Sequence, residues 1–218
     1  MSPTKLLIAT HNPGKVREYR ALLADLPLDV TWLDDERITF EVEETGSTFA
    51  ENAILKARTY AAASGLLTWA DDSGLEVDAL DGAPGVYSAR YGAPEVQGDE
   101  ARFRYLLANL DGVPAGARTA RFRCVVALST PDGDVQTVDG TCEGRIGFDP
   151  RGDNGFGYDP VFMVAEYDYR VALAELEPAI KNRISHRGQA ARRAKLVLEK
   201  FNFAEEVELL DEDACQPG

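Results

Sequence analysis

The chain contains 218 residues, with 23 Lys and Arg against 37 Asp and Glu, which gives a formal net charge of −14. This length suits one globular domain, and the acidic balance argues against a protein that coats nucleic acid, because such proteins need a basic surface. No uncharged apolar stretch approaches the ~20 residues of a membrane-spanning helix, so we expect neither nucleic acid nor a membrane as a partner.

The first half of the chain predicts strands and helices in alternation. Apolar runs indicate strands over 5–10, 30–33 and 67–71, and helical spacing of apolar residues indicates helices over 15–26 and 48–64. The longer helix has the clearest ends, because Thr48 and Glu51 form a capping-box pattern at its start and Gly65 follows it. The last strand of this half runs into Asp71 and Asp72.

The second half predicts a helix, a hairpin and a final helix, connected by loops rich in glycine and proline. The loops cover 82–98 and 148–162, the helices 99–110 and 185–201, and the hairpin strands 120–128 and 135–142. In the first hairpin strand, Phe122 and Cys124 alternate with arginines, as in a strand with one buried face. We therefore predict a mixed α/β sheet with flanking helices in one domain, residues 1–203, followed by an acidic, flexible tail, residues 204–218.

The three cysteines, Cys124, Cys142 and Cys215, are an odd number, and no two of them have the close spacing of metal ligands. Cys124 and Cys142 fall on neighbouring predicted strands, where they could approach each other. We interpret them as core thiols of a reduced, cytoplasmic protein rather than as a disulfide.

A turn of small and polar residues connects the first strand to the first helix. It consists of Thr10, His11, Asn12, Pro13, Gly14 and Lys15. Backbone N–H groups at a helix N-terminus, together with a lysine ammonium, can bind an anion such as phosphate. The same residues also suit a plain turn with a solvated lysine, and the Gly-Lys-Ser/Thr of a Walker loop is missing.

Two acidic clusters suggest a site for a divalent cation. Glu41, Glu43 and Glu44 precede the long helix, where their negative charges would also interact favourably with the positive end of the helix dipole. Asp71 and Asp72 follow an apolar strand, and ligands of α/β sheets bind at the C-terminal ends of strands. One aspartate could simply cap a turn, but two adjacent carboxylates favour Mg²⁺ and a general base.

Two further clusters suit recognition of a planar ligand. In the segment 155–160, glycines flank Phe156 and precede Tyr158, so either ring could stack on a base while Asp159 accepts a ring N–H. Nearer the C-terminus, Lys181 and the pair His186 and Arg187 supply donors at the start of the last helix. A bend with core aromatics and a helix capped by a serine are the structural alternatives.

Taken in this order, the clusters resemble the inosine/xanthosine triphosphate pyrophosphatase family over roughly residues 5–201. The matching segments are THNPGKVRE at 10–18, EETGSTFAENAILKA at 43–57, ADDSGLEVDAL at 70–80, GAPGVYSARY at 82–91, GFGYDP at 155–160 and ISHRG at 184–188. The ordered set is far more specific than any one segment. The acidic extension after Phe203 lies outside the resemblance.

The resemblance implies an elongated mixed α/β fold with two lobes around a central cleft, and a homodimer with residues 87–91 near the subunit contact. It implies substrate binding by Thr10, His11, Asn12, Pro13, Gly14, Lys15, Lys56, Ser73, Phe156, Gly157, Tyr158, Asp159, Lys181, His186 and Arg187. It also implies that Glu44 and Asp72 hold Mg²⁺ and that Asp72 accepts the proton of the attacking water. The implied reaction converts ITP, dITP or XTP to the nucleoside monophosphate and pyrophosphate.

This chemistry requires a local positive clamp on an acidic protein. The clamp would consist of Lys15, Lys56, Lys181 and Arg187 with Mg²⁺. A free aspartate, with a pKa of about 3.9, is a poor base. We expect Asp71 to raise the pKa of Asp72 and Mg²⁺ to lower the pKa of bound water. Of these two ways to activate the attacking water, we favour the metal, with Asp72 orienting the water and accepting its proton.

Base selection would follow from hydrogen-bond types. Inosine and xanthosine carry a 6-oxo acceptor where adenosine carries an amino donor. Donors from Arg187 and the loop backbone would be left unpaired against adenine, at about 1–3 kcal/mol per group. Guanine also carries a 6-oxo group, so this argument does not separate it from the substrates.

Three other functions remain open from the residues alone. A pyrophosphatase for pyrimidine or modified nucleotides would use the same clamp with a different base loop. A non-catalytic nucleotide sensor would be favoured by loss of Glu44 or Asp72, but both are present. A nucleic-acid-binding protein is disfavoured by the charge of −14.

Overall fold

The computed structural model describes residues 4–212, which form a six-stranded mixed sheet. The strands are β1 (Thr4–Ile8), β2 (Leu28–Trp32), β3 (Leu67–Val77), β4 (Thr119–Ser129), β5 (Val135–Ile146) and β6 (Phe162–Val164). Their order across the sheet is β2-β1-β3-β4-β5-β6. β1 runs parallel to β2 and β3, and the remaining neighbours are antiparallel.

Helices cover both faces of this sheet. They are α1 (Pro13–Leu22), α2 (Phe49–Ser64), α3 (Asp99–Asn109), α4 (Pro178–Ile184) and α5 (His186–Glu212). α1 and α5 bury Tyr19 and Ala190 around Trp69 of β3, and α2 buries Ala53 against Ala70 on the opposite face. A third apolar cluster packs α3 against β4, β5 and β6. The predicted mixed α/β sheet with flanking helices is confirmed.

The ends of α2 are those that the sequence predicts. The Thr48 hydroxyl accepts a hydrogen bond from the backbone N–H of Glu51, whose carboxylate accepts one from the backbone of Thr48. Gly65 ends the helix with φ +69°, a left-handed conformation that glycine adopts without a Cβ penalty. Apolar alternation is confirmed in β4 as well, where Phe122 and Cys124 are buried.

β3 continues well beyond its predicted end at residue 71. It pairs with β4 as far as Val77, so Asp71 and Asp72 lie within the strand and not at its C-terminus. Consecutive side chains of a strand point to opposite faces. Asp71 therefore lies on the α1/α5 side and Asp72 on the α2 side, which the prediction of adjacent carboxylates at a sheet end missed.

Several other boundaries differ from the prediction. α1 ends at Leu22 rather than at residue 26, and the short elements β6 and α4 fall in segments predicted without regular structure. Short elements lack enough turns or alternating positions to give a periodic signal. α5 continues through Glu212, beyond the predicted end at residue 201, and residues 213–218 of the predicted tail lie outside the described residues. None of the described helices combines the length and apolar character needed to cross a membrane.

Cys124 and Cys142 are buried free thiols, as predicted. Cys124 is opposite Gly140 in the β4–β5 pairing, and Cys142 is opposite Phe122. Burial raises the pKa of each thiol to about 12, so both stay protonated. Cys215 lies outside the described residues.

A glycine in β5 allows α5 to approach the sheet closely. A Cβ on Gly140 would lie 2.6 Å from the backbone nitrogen of Ala190 and would also contact the carbonyl oxygen of His186. We expect Gly140→Ala to lower the free energy of unfolding by about 2 kcal/mol, because backbone atoms cannot yield as a side chain can. Urea denaturation measures this, with Gly116→Ala, whose Cβ would meet no atom within 4 Å, as the control. Equal stability of the two variants would contradict the prediction.

Candidate active site

The predicted site residues converge on one cleft with two connected compartments. The first has a volume of about 380 Å³ and the second about 600 Å³. Asn12, Lys15 and Glu44 line both compartments. The first also contains Pro13, Gly14, Asp72, Ser73, Phe156, Gly157, Tyr158, Asp159, His186 and Arg187, and the second contains Thr10, His11, Lys56 and Asp71. Lys181 is buried and lines neither compartment, but its ammonium contacts Asp159, which lines the first.

The turn before α1 is built around Asn12. Its side-chain oxygen accepts hydrogen bonds from the backbone N–H groups of Gly14 (2.8 Å) and Lys15 (3.2 Å), and so caps the helix. A Cβ on Gly14 would lie 3.1 Å from the ring of Phe156, so glycine allows the aromatic loop to approach the turn. The turn is therefore a capped helix start that lines the cleft, and its lysine is ion-paired with Asp71 rather than solvated.

His11 faces a carboxylate at the edge of the second compartment. Its Nδ1 lies 2.6 Å from Oδ1 of Asp34. Its Nε2 is buried without a hydrogen-bond partner among the described residues. The side chain therefore interacts within the fold, while its backbone belongs to the turn that lines the cleft.

Lys15 forms an ion pair with Asp71, with 2.9 Å between Nζ and Oδ2. The Ser73 hydroxyl donates to the same oxygen at 3.1 Å. Burial opposes ionisation of Asp71, but Lys15 and Arg187 outweigh it and hold the pKa of this carboxyl well below its usual range. Asp71 is thus a fixed negative charge that orients Lys15.

Asp72 has different neighbours on the other face of β3. Its Oδ2 accepts a hydrogen bond from the Asn52 amide at 3.1 Å, and its Oδ1 lies 3.5 Å from Nζ of Lys56. Burial is the main cause that raises its pKa, Glu44 adds to it, and Lys56 opposes both. The expected direction is confirmed, but its predicted cause is wrong, because Asp71 points to the opposite face.

Glu44 and Asp72 are brought together around the ammonium of Lys56. Nζ of Lys56 lies 2.5 Å from Glu44, and desolvation of Glu44 is outweighed by Lys56, which lowers the pKa of this carboxyl. Within residues 4–212 there is no cluster of three or more His, Cys, Asp and Glu side chains that could hold a metal by itself. Two carboxylates are nevertheless a donor set that suits Mg²⁺, which usually takes one or two carboxylates together with substrate phosphates.

Phe156 is held beside two cations at the far end of the first compartment. Nζ of Lys181 lies 5.1 Å and Cζ of Arg187 lies 5.2 Å from the ring centroid. Oδ2 of Asp159 accepts hydrogen bonds from the Phe156 backbone N–H (2.9 Å) and from Lys181 (2.7 Å). The Tyr158 hydroxyl donates to the carbonyl of Ser88 at 2.8 Å. Asp159 and Tyr158 therefore fix the loop, and Phe156 is the half-buried aromatic of the segment.

Glu18 is a site residue that the sequence analysis missed. Its carboxylate oxygens lie 2.8 Å from Nζ of Lys181 and 2.6 Å from Nη1 of Arg187. Burial opposes its ionisation, but Arg187 and Lys181 outweigh it and lower the pKa of this carboxyl. Its position three residues after Lys15 in α1 puts it on the same helix face, a spacing that could have indicated it.

His186 is buried and stacks on Phe122, with 4.7 Å between ring centroids and 12° between ring planes. Burial, Arg187 and Lys181 together hold the pKa of this imidazole well below its usual range. His186 is therefore neutral, and it lines the cleft as a polar ring rather than as part of the positive clamp.

Comparison with known proteins gives matches over most of the chain. The sequence model of the Ham1 family matches residues 6–196. A dITP/XTP pyrophosphatase of Bacillus licheniformis is 49% identical over 196 residues, covering 90% of this chain and 98% of that protein. One of Desulforamulus reducens is 50% identical over 203 residues, covering 93% and 100%. Among solved structures, a HAM1 protein from Coxiella burnetii has a TM-score of 0.81 at 41% identity, covering 90% of this chain and 99% of that one.

Proposed function

The chain belongs to the Ham1 family, and from this membership we propose that it hydrolyses ITP, dITP and XTP to the nucleoside monophosphate and pyrophosphate. The observation that carries the proposal is that Asp72 lines the first compartment while its carboxylate lies 3.5 Å from Nζ of Lys56, which lines the second. Lys15 and Lys56 line the second compartment, and the Phe156 loop lines the first. A nucleoside triphosphate has the matching division into phosphates and base.

The second compartment binds the phosphates in this proposal. Lys15 and Lys56 have carboxylate partners, and phosphate oxygens would replace or share these ion pairs. The turn of Thr10 and Asn12 adds the positive end of the α1 dipole, which favours anions, although the N–H groups of Gly14 and Lys15 are already bound by the Asn12 side chain. These groups stabilise the charge that develops on the leaving pyrophosphate.

Asp72 accepts the proton when water attacks the α phosphorus and the bond to the bridging oxygen breaks. Asn52 fixes the orientation of the carboxylate through its hydrogen bond to Oδ2. The raised pKa of Asp72 makes it a better proton acceptor than an ordinary aspartate. Mg²⁺ held by Glu44 and Asp72 would neutralise phosphate charge and acidify water when it is bound.

The first compartment binds the base against Phe156. Lys181 and Arg187 lie beside this ring as donors for the 6-oxo group of hypoxanthine or xanthine. Adenine presents an amino donor at the same position, which cannot accept a hydrogen bond from these cations, and this mismatch disfavours ATP.

The test is pyrophosphate release from ITP, dITP, XTP, GTP, ATP and dTTP, each with Mg²⁺ and with EDTA. We expect release from the first three with Mg²⁺ and none with EDTA. Binding without release would favour a nucleotide sensor. Fastest release from dTTP would contradict the account of the base compartment and leave the phosphate clamp intact.

Removing the aromatic ring tests the base compartment directly. We expect Phe156→Ala to lower kcat/KM for ITP about tenfold, since stacking on an aromatic side chain contributes ~1–3 kcal/mol per base. The control is Phe148→Ala, because Phe148 is exposed and does not line the cleft. Steady-state kinetics of both variants measure the effect, and similar values for the two would contradict a stacking role.

We also propose that the protein is a homodimer whose contact includes residues 87–91. Tyr87 is 59% exposed, and the guanidinium of Arg90 lies over its ring at 5.0 Å from the centroid. Exposed aromatic and arginine side chains are common at the centre of protein interfaces. Sedimentation equilibrium of the wild type and of Tyr87→Asp tests this, and a monomeric wild type would contradict it.

A further inference from the structure

Three arginines line the first compartment, and they differ in how many of their donors are engaged. Arg187 uses both terminal nitrogens, one toward Glu18 (2.6 Å) and one toward the Ser73 hydroxyl (3.1 Å). Arg17 is exposed on α1. Arg102 is half-buried in the first turns of α3 and uses one terminal nitrogen, toward Asp99.

Asp99 fixes Arg102 relative to the aromatic loop. One carboxylate oxygen of Asp99 accepts from Arg102, and the other accepts from the backbone N–H of Gly157 at 2.8 Å. Gly157 directly follows Phe156, the ring on which the base stacks in the proposed function. Within the described chain, this shared carboxylate ties the Arg102 guanidinium to the base loop and leaves donors of its planar fork available to the cleft.

We propose that Arg102 is a specificity-determining residue that reads the C2 position of the purine base. The inference rests on the proposed function. Xanthine carries an oxo acceptor at C2, hypoxanthine carries hydrogen, and guanine carries an amino donor. A guanidinium, which is always charged and only donates, pairs with the first, tolerates the second and opposes the third. This supplies the rejection of guanine that the 6-oxo group cannot.

The chemistry of the ligand strengthens this assignment. Xanthine is a stronger acid than hypoxanthine, so its base carries more negative charge near neutral pH. A fixed cation at the base end of the cleft therefore favours XTP further. Both terminal nitrogens of Arg187 are already engaged, and its Nε and the Nδ1 of His186 are buried, whereas the Arg102 side chain is 21% exposed.

The experiment compares Arg102→Gln with the wild type, using kcat/KM for XTP, ITP and GTP and calorimetric binding of XMP, IMP and GMP. Arg104→Gln is the matched control, because Arg104 lies on the same helix and its side chain is 63% exposed and paired with Glu100. Arg17→Gln tests the other arginine that lines the compartment.

We expect Arg102→Gln to lower the XTP to ITP ratio of kcat/KM about tenfold, which corresponds to about 1.4 kcal/mol. GTP should gain relative to ITP, since glutamine can accept from the 2-amino group, and the monophosphates should shift in the same directions. Unchanged ratios, equal losses for all three bases, or the same shifts in Arg17→Gln would overturn the inference.

The two proposals fail in distinguishable ways. If the wild type hydrolyses none of the triphosphates, the proposed function fails, while the monophosphate affinities still decide the role of Arg102. If ITP is hydrolysed but Arg102→Gln leaves every ratio unchanged, the proposed function stands and only Arg102 loses its role. Absence of hydrolysis together with absence of binding by all three monophosphates would contradict both.

Discussion

Replacing Asp72 by asparagine is expected to lower kcat for pyrophosphate release from ITP by about 10³-fold, within the range of a lost general base. Asparagine keeps the size of the side chain and can still pair with Asn52, but it cannot accept the proton of the attacking water. Because burial and Glu44 already oppose the charge of Asp72, the loss of that charge should not unfold the protein. A stopped assay for pyrophosphate measures the effect.

Two further measurements separate catalysis from binding. Asp72→Asn should still bind IMP, since the base compartment is intact. Asp78→Asn, a substitution just beyond the end of β3 in an exposed ion pair with Arg121, should keep full activity. A rate within tenfold of the wild type for Asp72→Asn would show that another group accepts the proton.

Glu18→Gln is expected to destabilise the fold by about 3 kcal/mol and to raise KM for ITP more than tenfold. The substitution removes one partner from two buried ion pairs and leaves two cations insufficiently compensated, the costly case for buried charges. Lys181 and Arg187 also lose the group that orients them beside Phe156. Thermal denaturation and steady-state kinetics test the two effects.

The stability effect should depend on pH with a definite sign. Because the pKa of Glu18 is lowered in the folded protein, its contribution is complete above its unfolded pKa of about 4.3. The contribution is then lost as pH falls through the lower, folded pKa. The difference between the wild type and Glu18→Gln should therefore be full at pH 7 and shrink in acid. Glu100→Gln, in an exposed pair with Arg104, should show little difference at any pH.

The fold could be predicted where capping residues and the pattern of apolar residues along the chain match the ends and the buried faces of the elements. The ends of α2 follow from Thr48, Glu51 and Gly65, and the hairpin follows from apolar alternation. The predicted end of β3 at residue 71 is wrong, because aspartates are rare in strands and the pair Asp71 and Asp72 therefore indicated the end of the strand. Only pairing with β4, a contact distant in sequence, keeps this segment extended.

The sequence predicted most residues of the candidate site, but it did not predict which of them form hydrogen bonds or ion pairs with one another. The resemblance of the ordered motifs assigned Glu44, Lys56 and Asp72 to one site, and the three side chains do lie together. The partners Glu18 and Asn52 were missed, although Asn52 and Lys56 are four residues apart on α2 and both face its buried side. A buried polar residue on an apolar helix face must have a partner, so this spacing was the available signal.

Each cation of the proposed clamp has a carboxylate partner within the protein. An arriving triphosphate therefore exchanges one anion for another, and its net gain is smaller than the attraction of an unpaired cation would give. Every nucleotide carries the same phosphates, and ordinary nucleotides far outnumber damaged ones in a cell. A clamp with unpaired cations would bind ATP most of the time. In this clamp the phosphates contribute less to the binding free energy, so the base determines which nucleotide binds.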